Sequence, residues 1–364
     1  MRRHSLAVVA RKRILSRDRE EADAQSFLTS RLTLGTSRSW MAVPVAAAGQ
    51  SLYNLFVVAH TSRRAVLALA ALPPSLLPQS SQRRAIRLGG PVFLKSDDPV
   101  ELAREHRRLG YSAAYCPSAK AGDTARTRAI EKAFAAEDVV IAEVGAWVNM
   151  LDPEPVKRRE NLRFVAERLA LAEAVGARCC VDIAGSYNPK VWYGPHPKNL
   201  SDEFFDATVE NCRRILDEIK PQRTKFAIEM MGWCLPDGAD SYVRLVKAVD
   251  RTAFGVHIDV CNGVNSPTRF YNNSGFISEC FRKLGPWIVS CHAKDLQWIP
   301  EMNIHFVEVI PGRGEMDYRA YLSELSRLEI DAPLMLEHLK TPEEYDEGKR
   351  YIQKVASELQ LRLA

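Results

Sequence analysis

From Ile86 to the C terminus the chain alternates eight times between a short apolar run and a longer amphipathic segment of helical period. The strand-type runs cover residues 86–93, 112–116, 139–148, 178–184, 225–231, 253–260, 288–293 and 333–339. Between and after them lie helical segments at 98–109, 123–136, 155–175, 201–219, 241–249, 275–284, 318–328 and 342–359. Local signals bound several of these helices. Pro99 falls in a first turn, Asp123 suits an N-cap, and Gly176 closes the longest helix. Strict alternation argues for a parallel sheet with helices on its outside. Eight units in roughly 280 residues favour a sheet closed into a (β/α)8 barrel over an open one. No G-x-G-x-x-G follows a strand, so nothing supports a dinucleotide site.

Residues 1–85 differ from the rest. They are rich in Arg, Ser and Ala and keep no period of 2 or 3.6. Up to Arg87 there are fourteen Arg or Lys and four acids, so this stretch carries about +10 against a net charge of +5 for the whole chain. The remainder is therefore mildly acidic, near −5. Such a domain is electrostatically unsuited to nucleic acid and suits a small-molecule enzyme. The expected organisation is a leader-like or disordered extension over 1–85 and a barrel over 86–364. The extension could also reflect an early start codon, with Met41 an internal candidate. Ser62-Arg63-Arg64, followed by an apolar stretch broken at Pro73 and Pro74, has the look of a twin-arginine export signal. The expected location is cytoplasmic, with twin-arginine export the alternative. No apolar run reaches the roughly 18 residues of a membrane span. Eight cysteines without a C-x-x-C pair, mostly inside apolar runs, read as reduced, buried thiols.

The last four strand-type runs each carry a metal-seeking side chain close to the C-terminal end. They are Ile228-Glu229, Ile258-Asp259, Cys291-His292 and Leu336-Glu337. In a barrel all strand C-termini open at one mouth, so Glu229, Asp259, His292 and Glu337 would converge there. A single acid after a strand is commonly a helix cap or a solvated loop residue. These glutamates, however, are followed by Met230 and His338, which keeps them inside their runs. Buried carboxylates need a positive partner. Three carboxylates and an imidazole suit one divalent cation: Mn2+, Mg2+, Co2+ or Zn2+.

These pieces resemble the xylose-isomerase-like TIM barrel superfamily. The superfamily holds sugar phosphate isomerases and epimerases, ketose 3-epimerases, hydroxypyruvate isomerase, inosose dehydratase and endonuclease IV. The matching segments are Ile228-Glu229, His257-Ile258-Asp259, His292-Ala293-Lys294-Asp295, Pro311-Gly312-Arg313-Gly314-Glu315-Met316-Asp317 and Leu336-Glu337-His338. The resemblance spans the whole barrel. It implies a Glu–Asp–His–Glu metal site in which Glu229 and Glu337 also move protons on either side of an enediolate. A cation held by the substrate carbonyl and a neighbouring hydroxyl stabilises the developing oxyanion, and two carboxylates remove and return the proton.

The chain departs from the pattern at Asn262, where many epimerases carry a histidine that contacts substrate oxygen. Asparagine hydrogen-bonds a hydroxyl but carries no charge. Further candidates for substrate contact are His257, Lys294, Arg313 and Trp233. His257 shares a strand face with Asp259, and orienting a ligand is its other expected role. Arg313, between two glycines, could reach a phosphate or carboxylate, or be a plain surface turn. Trp147, Trp192, Trp233 and Trp298 lie at or after strand ends and could wall a sugar pocket or pack over the rim. Glu143 and Asp182 could reach substrate or fix loops. The expected function is a divalent-metal-dependent isomerase or epimerase of a sugar, sugar phosphate or polyol. The alternative is a metal-dependent lyase or dehydratase of a keto-sugar or keto-inositol, and an endonuclease IV-like phosphodiesterase ranks third. The expected partner is a small carbohydrate, with neither nucleic acid nor membrane, and a homo-oligomer stays open.

Overall fold

The structure is a computed structural model and describes residues 83–364. The leader, export and start-codon expectations lie outside the described residues. The barrel elements run in chain order as β1 (Leu88–Gly89), α1 (Pro99–Arg108), β2 (Ala113–Tyr115), α2 (Thr124–Ala136), β3 (Val140–Gly145) and α3 (Pro155–Val175). They continue with β4 (Cys179–Asp182), α4 (Asp202–Ile219), β5 (Lys225–Glu229), α5 (Ala239–Val249) and β6 (Phe254–Ile258). After β6 come α6 (Val260–Gly263), α7 (Pro267–Tyr271), α8 (Asn273–Leu284) and β7 (Ile288–Ala293). Last are β8 (Asp295–Trp298), β9 (Phe306–Val309), α9 (Tyr318–Leu325), β10 (Leu334–Leu336) and α10 (Pro342–Glu358).

Eight strands close in the order β1-β10-β7-β6-β5-β4-β3-β2. Every pairing in this ring is parallel. The chain therefore has the (β/α)8 TIM barrel fold. The helix signals act as expected. Asp123 accepts the Arg126 N–H at 2.9 Å, and Gly176 ends α3 in the left-handed region at φ 68. The first strand is shorter than the apolar run predicts, because Gly89 and Gly90 lead into Pro91, which has no N–H for the ladder. The C-terminal residues extend its lower end, where Ile86 bridges Leu363.

Two irregularities in the ladder matter for the site. Between β2 and β3, Ala114 pairs with Ile141 but Tyr115 pairs with Glu143, so Ala142 is skipped. Between β6 and β7, Val256 pairs with Ile288 but His257 pairs with Ser290, so Val289 is skipped. A one-residue bulge turns two successive side chains toward the same face. Ala142 packs with Ala113 and Met335 in a cluster separate from the helix-facing core, and Glu143 next to it also enters the barrel. Ser290 and His292 follow the second bulge inward and meet Glu143 there.

One element has no counterpart in the expectations. Residues after β7 form an antiparallel hairpin of β8 and β9, with Trp298 opposite Phe306. Those two rings pack with Phe270 of α7. All eight cysteines are free thiols, and seven of them are buried. No helix among the described residues is long and apolar enough to cross a membrane.

Candidate metal centre and substrate cleft

Glu229 closes β5, Asp259 follows β6, His292 lies near the end of β7, and Glu337 follows β10. These four strands are contiguous in the barrel. One ligand atom from each residue falls in a group whose members lie within 4.8 Å of one another. His292 Nδ1 sits 2.8 Å from Glu229 Oε1, 2.9 Å from Glu337 Oε1 and 3.6 Å from Asp259 Oδ2. Asp259 also caps α6 by accepting the Asn262 N–H. That fixes its side chain and leaves Oδ2 turned to the centre.

Lys294 enters the same group from above the strand end. Its Nζ lies 2.8 Å from Asp259 Oδ2, 3.1 Å from Glu337 Oε1 and 3.3 Å from Glu308 Oε1. It donates to Asn262 Oδ1 at 2.9 Å, and Asn262 Nδ2 donates to Glu229 Oε1 at 3.2 Å. Asn262, standing where the pattern has histidine, thus ties the lysine to the first glutamate.

Burial and charge compete at each group. Burial pulls the His292 pKa down, but Glu337, Glu143 and Glu229 overcome it and hold the imidazole well above its ordinary 6.5. Burial likewise opposes the Lys294 charge, and Asp259, Glu337 and Glu229 hold it well above 10.5. Burial disfavours the Asp259 carboxylate, yet Lys294 and His292 hold its pKa low. Glu337 shows the same balance and falls to about 2. Glu229 differs: burial, with Glu337 and Asp259 nearby, outweighs His292 and raises it.

The donor set fits a divalent cation. Asp259 Oδ2 and Glu337 Oε1 are buried and accept no hydrogen bond of good geometry, although both lie within ion-pair distance of Lys294. Orphaned carboxylate oxygens beside an imidazole are what an oxygen-rich site offers a hard or borderline ion.

Above this floor opens a cleft of about 500 Å3. Trp147, Trp192, Tyr193, Met231 and Trp233 wall it, and Glu229, Asn262, Lys294, Glu308, Glu337 and His338 supply its polar surface. Trp147 and His338 both hold left-handed backbone, at φ 50 and φ 60. For residues other than glycine this costs about 1 to 3 kcal/mol each and is typical of functional loops. The Trp147 indole lies across Gly145, where a side chain would collide with it, and its ring centroid is 6.2 Å from that of His292.

The structure thus gathers Glu229, Asp259, His292 and Glu337 and puts Asn262, Lys294 and Trp233 on the cleft. It does not bring two other candidates there. His257 is fully buried in the barrel and bonds Glu143 at 2.9 Å. Arg313 is exposed and makes a two-point pair with Glu347, at 2.6 and 2.7 Å. The loop around it is organised by Asp295, whose carboxylate accepts the N–H groups of Gly312, Gly314 and Met316. That packing turns the arginine outward. Trp298 packs in the hairpin cluster. Asp182 accepts from Val148 and Ile183 N–H and so fixes loop backbone. Glu308 and His338 are cleft residues that the sequence argument missed. His338 stands next to Glu337, a usable signal, whereas Glu308 arrives on the unforeseen hairpin.

Residues 100–355 match the xylose isomerase-like TIM barrel family, and the chain belongs to that family. No curated protein matches the chain. Among solved structures, endonuclease IV from Thermus thermophilus has 17% identity and a TM-score of 0.57, over 75% of this chain and 99% of that one. A xylose isomerase-like TIM barrel protein from Mycobacterium smegmatis, solved in complex with magnesium, has 19% identity and a TM-score of 0.52, over 71% and 88%. The 3-keto-D-glucoside 4-epimerase from E. coli has 12% identity and a TM-score of 0.53, over 74% and 99%. At such identities the likeness shows the shared fold.

Proposed function

We propose that this protein is a divalent-metal-dependent isomerase or epimerase of an uncharged sugar or polyol, working through an enediolate. One observation carries the reading. Glu229 and Glu337 stand at the two ends of an arc of four adjacent strands, with His292 and Asp259 between them. On this reading the two carboxylates flank a substrate carbon from opposite sides. One removes the proton next to the carbonyl and the other returns one to the opposite face or the neighbouring carbon. A divalent ion held by Glu229, Asp259, His292 and Glu337 supplies, when bound, positive charge to the substrate oxygens as negative charge develops. Lys294 adds fixed positive charge at the same floor, and Asn262 offers hydrogen bonds to a hydroxyl.

The cleft wall supports an uncharged substrate. Among the described residues its one lysine is already held by Asp259, Glu337 and Glu308, and no arginine lines it. A phosphate would face Glu229, Glu308 and Glu337 without a dedicated receptor. Aromatic rings suit the apolar faces of a sugar. The same acidic floor speaks against a phosphodiester.

The test is elemental analysis of the purified protein, followed by incubation with neutral ketoses, keto-acids and inososes, and with ketose phosphates, in deuterated water with the metal restored. Deuterium should enter the carbon next to the carbonyl of a neutral substrate. Loss of water with an absorbing enone product would make the enzyme a lyase. Transfer of substrate hydrogen without solvent exchange would remove the two-base roles.

A further inference from the structure

Glu143 is a buried acid inside the barrel, about 1% exposed, and it lies off the cleft. The skipped pairing at Ala142 turns it inward. There its two oxygens meet three side chains. Oε1 lies 2.9 Å from His257 Nε2 and accepts from the Ser290 hydroxyl, and Oε2 lies 3.2 Å from His292 Nε2. A carboxylate burdened with burial stays ionised only where donors surround it, and these three provide them.

We infer that Glu143 is a positioning residue that presents His292 to the metal. The inference rests on the metal centre proposed above and concerns a residue outside its ligand set. An ionised carboxylate only accepts hydrogen bonds, so the nitrogen facing it must carry a proton. Nε2 of His292 is thereby committed to Glu143. Nδ1 is left as the nitrogen whose lone pair can face Glu229, Asp259 and Glu337. Glu143 thus sets the imidazole's tautomer and its rotation about χ2. His257 packs edge-on against His292 with ring centroids 4.1 Å apart, which restricts the same rotation. Ser290 and His257 in turn hold Oε1, so Oε2 cannot swing away from His292. Carboxylates that orient metal-ligating histidines in this way commonly contribute about 10- to 100-fold to metal affinity.

Glu143→Gln keeps the shape but replaces one acceptor oxygen with a donor. The experiment measures Co2+ binding by calorimetry and by visible absorption on the full chain, with circular dichroism and thermal melting of the metal-free protein as controls. The expected result is a Co2+ Kd weakened about 10- to 100-fold, a changed Co2+ spectrum, and partial recovery in Glu143→Asp. A 15N spectrum of the Zn2+-loaded wild type should show His292 protonated at Nε2 and bound through Nδ1. That measurement stands even if the variants fold poorly. Wild-type affinity and spectrum in a folded Glu143→Gln would overturn the inference while leaving the metal centre intact, as would metal bound through Nε2. If wild type itself binds neither Co2+ nor Zn2+, the metal centre falls, and the inference with it.

Discussion

Lys294 and Asp259 form a buried ion pair, Nζ to Oδ2 at 2.8 Å, at the point where the proposed metal ligands converge. Both side chains are almost fully enclosed. The ammonium offsets part of the repulsion among Glu229, Asp259 and Glu337, and it shares two of their oxygens with the proposed cation. Lys294→Met should therefore destabilise the metal-free barrel by about 3 to 5 kcal/mol, the usual result of stranding one member of a buried pair. Saturating Mn2+ should restore much of the loss. Denaturant unfolding with and without Mn2+ checks this, and equal losses in both would disprove the sharing.

Stability of the metal-free protein should fall on both sides of an acidic optimum. Asp259 and Glu337 have lowered pKa values, so their contribution is complete above the unfolded range near 4 and is lost as pH falls through their folded values, about 2 for Glu337 and lower still for Asp259. His292 has a raised pKa, so its contribution is complete below 6.5 and is lost as pH climbs through the folded value. Glu229, also raised, begins to subtract stability once pH exceeds 4.5. Added Mn2+ should stabilise more at about pH 8 than at about pH 5.5, because the imidazole must give up its Nδ1 proton to bind. Melting curves across pH, with and without Mn2+, measure both trends. A metal effect that shrinks with rising pH would contradict the proposed ligand.

Glu229→Gln and Glu337→Gln should each fold and lose turnover by roughly 10²- to 10⁴-fold, the range for removing a general base. With substrate deuterated next to the carbonyl, each variant should block exchange from one side only. Symmetric loss in both would argue for a single base.

Trp147→Ala should raise KM for a neutral sugar by roughly 2- to 10-fold, the size of one aromatic contact. Metal affinity should not change, since the indole approaches His292 without bonding it. A fall in kcat with unchanged KM would give Trp147 a different role.

A chain starting at Arg83 should fold cooperatively, bind metal and melt as the full-length protein does. The closed ring of strands and the C-terminal bridge to Ile86 all lie within residues 83–364. Loss of a cooperative transition would show that the first 82 residues belong to the folded unit.

Much of this protein could be read from local pattern. Strand and helix periods, Asp123 and Gly176 as caps, and the spacing of strand ends are properties of a few neighbouring residues. They act alike in any compact chain. That is why the barrel, and the convergence of Glu229, Asp259, His292 and Glu337 at its mouth, follow from the order of residues alone. What depended on closure was hidden. Whether the β3 ladder skips Ala142 and the β7 ladder skips Val289 is decided by how eight twisted strands meet in one ring, and those skips turn Glu143 and Ser290 inward. Asp295, anchoring the loop that holds Gly312 and Gly314, turned Arg313 from a candidate phosphate ligand into a partner of Glu347 on α10. Glu308 reached the cleft on a hairpin that packs Phe306 against Phe270, far back in the chain. Periodicity reports which residues are buried on an element; which buried residues touch across the barrel is set by register and packing between segments far apart in the chain.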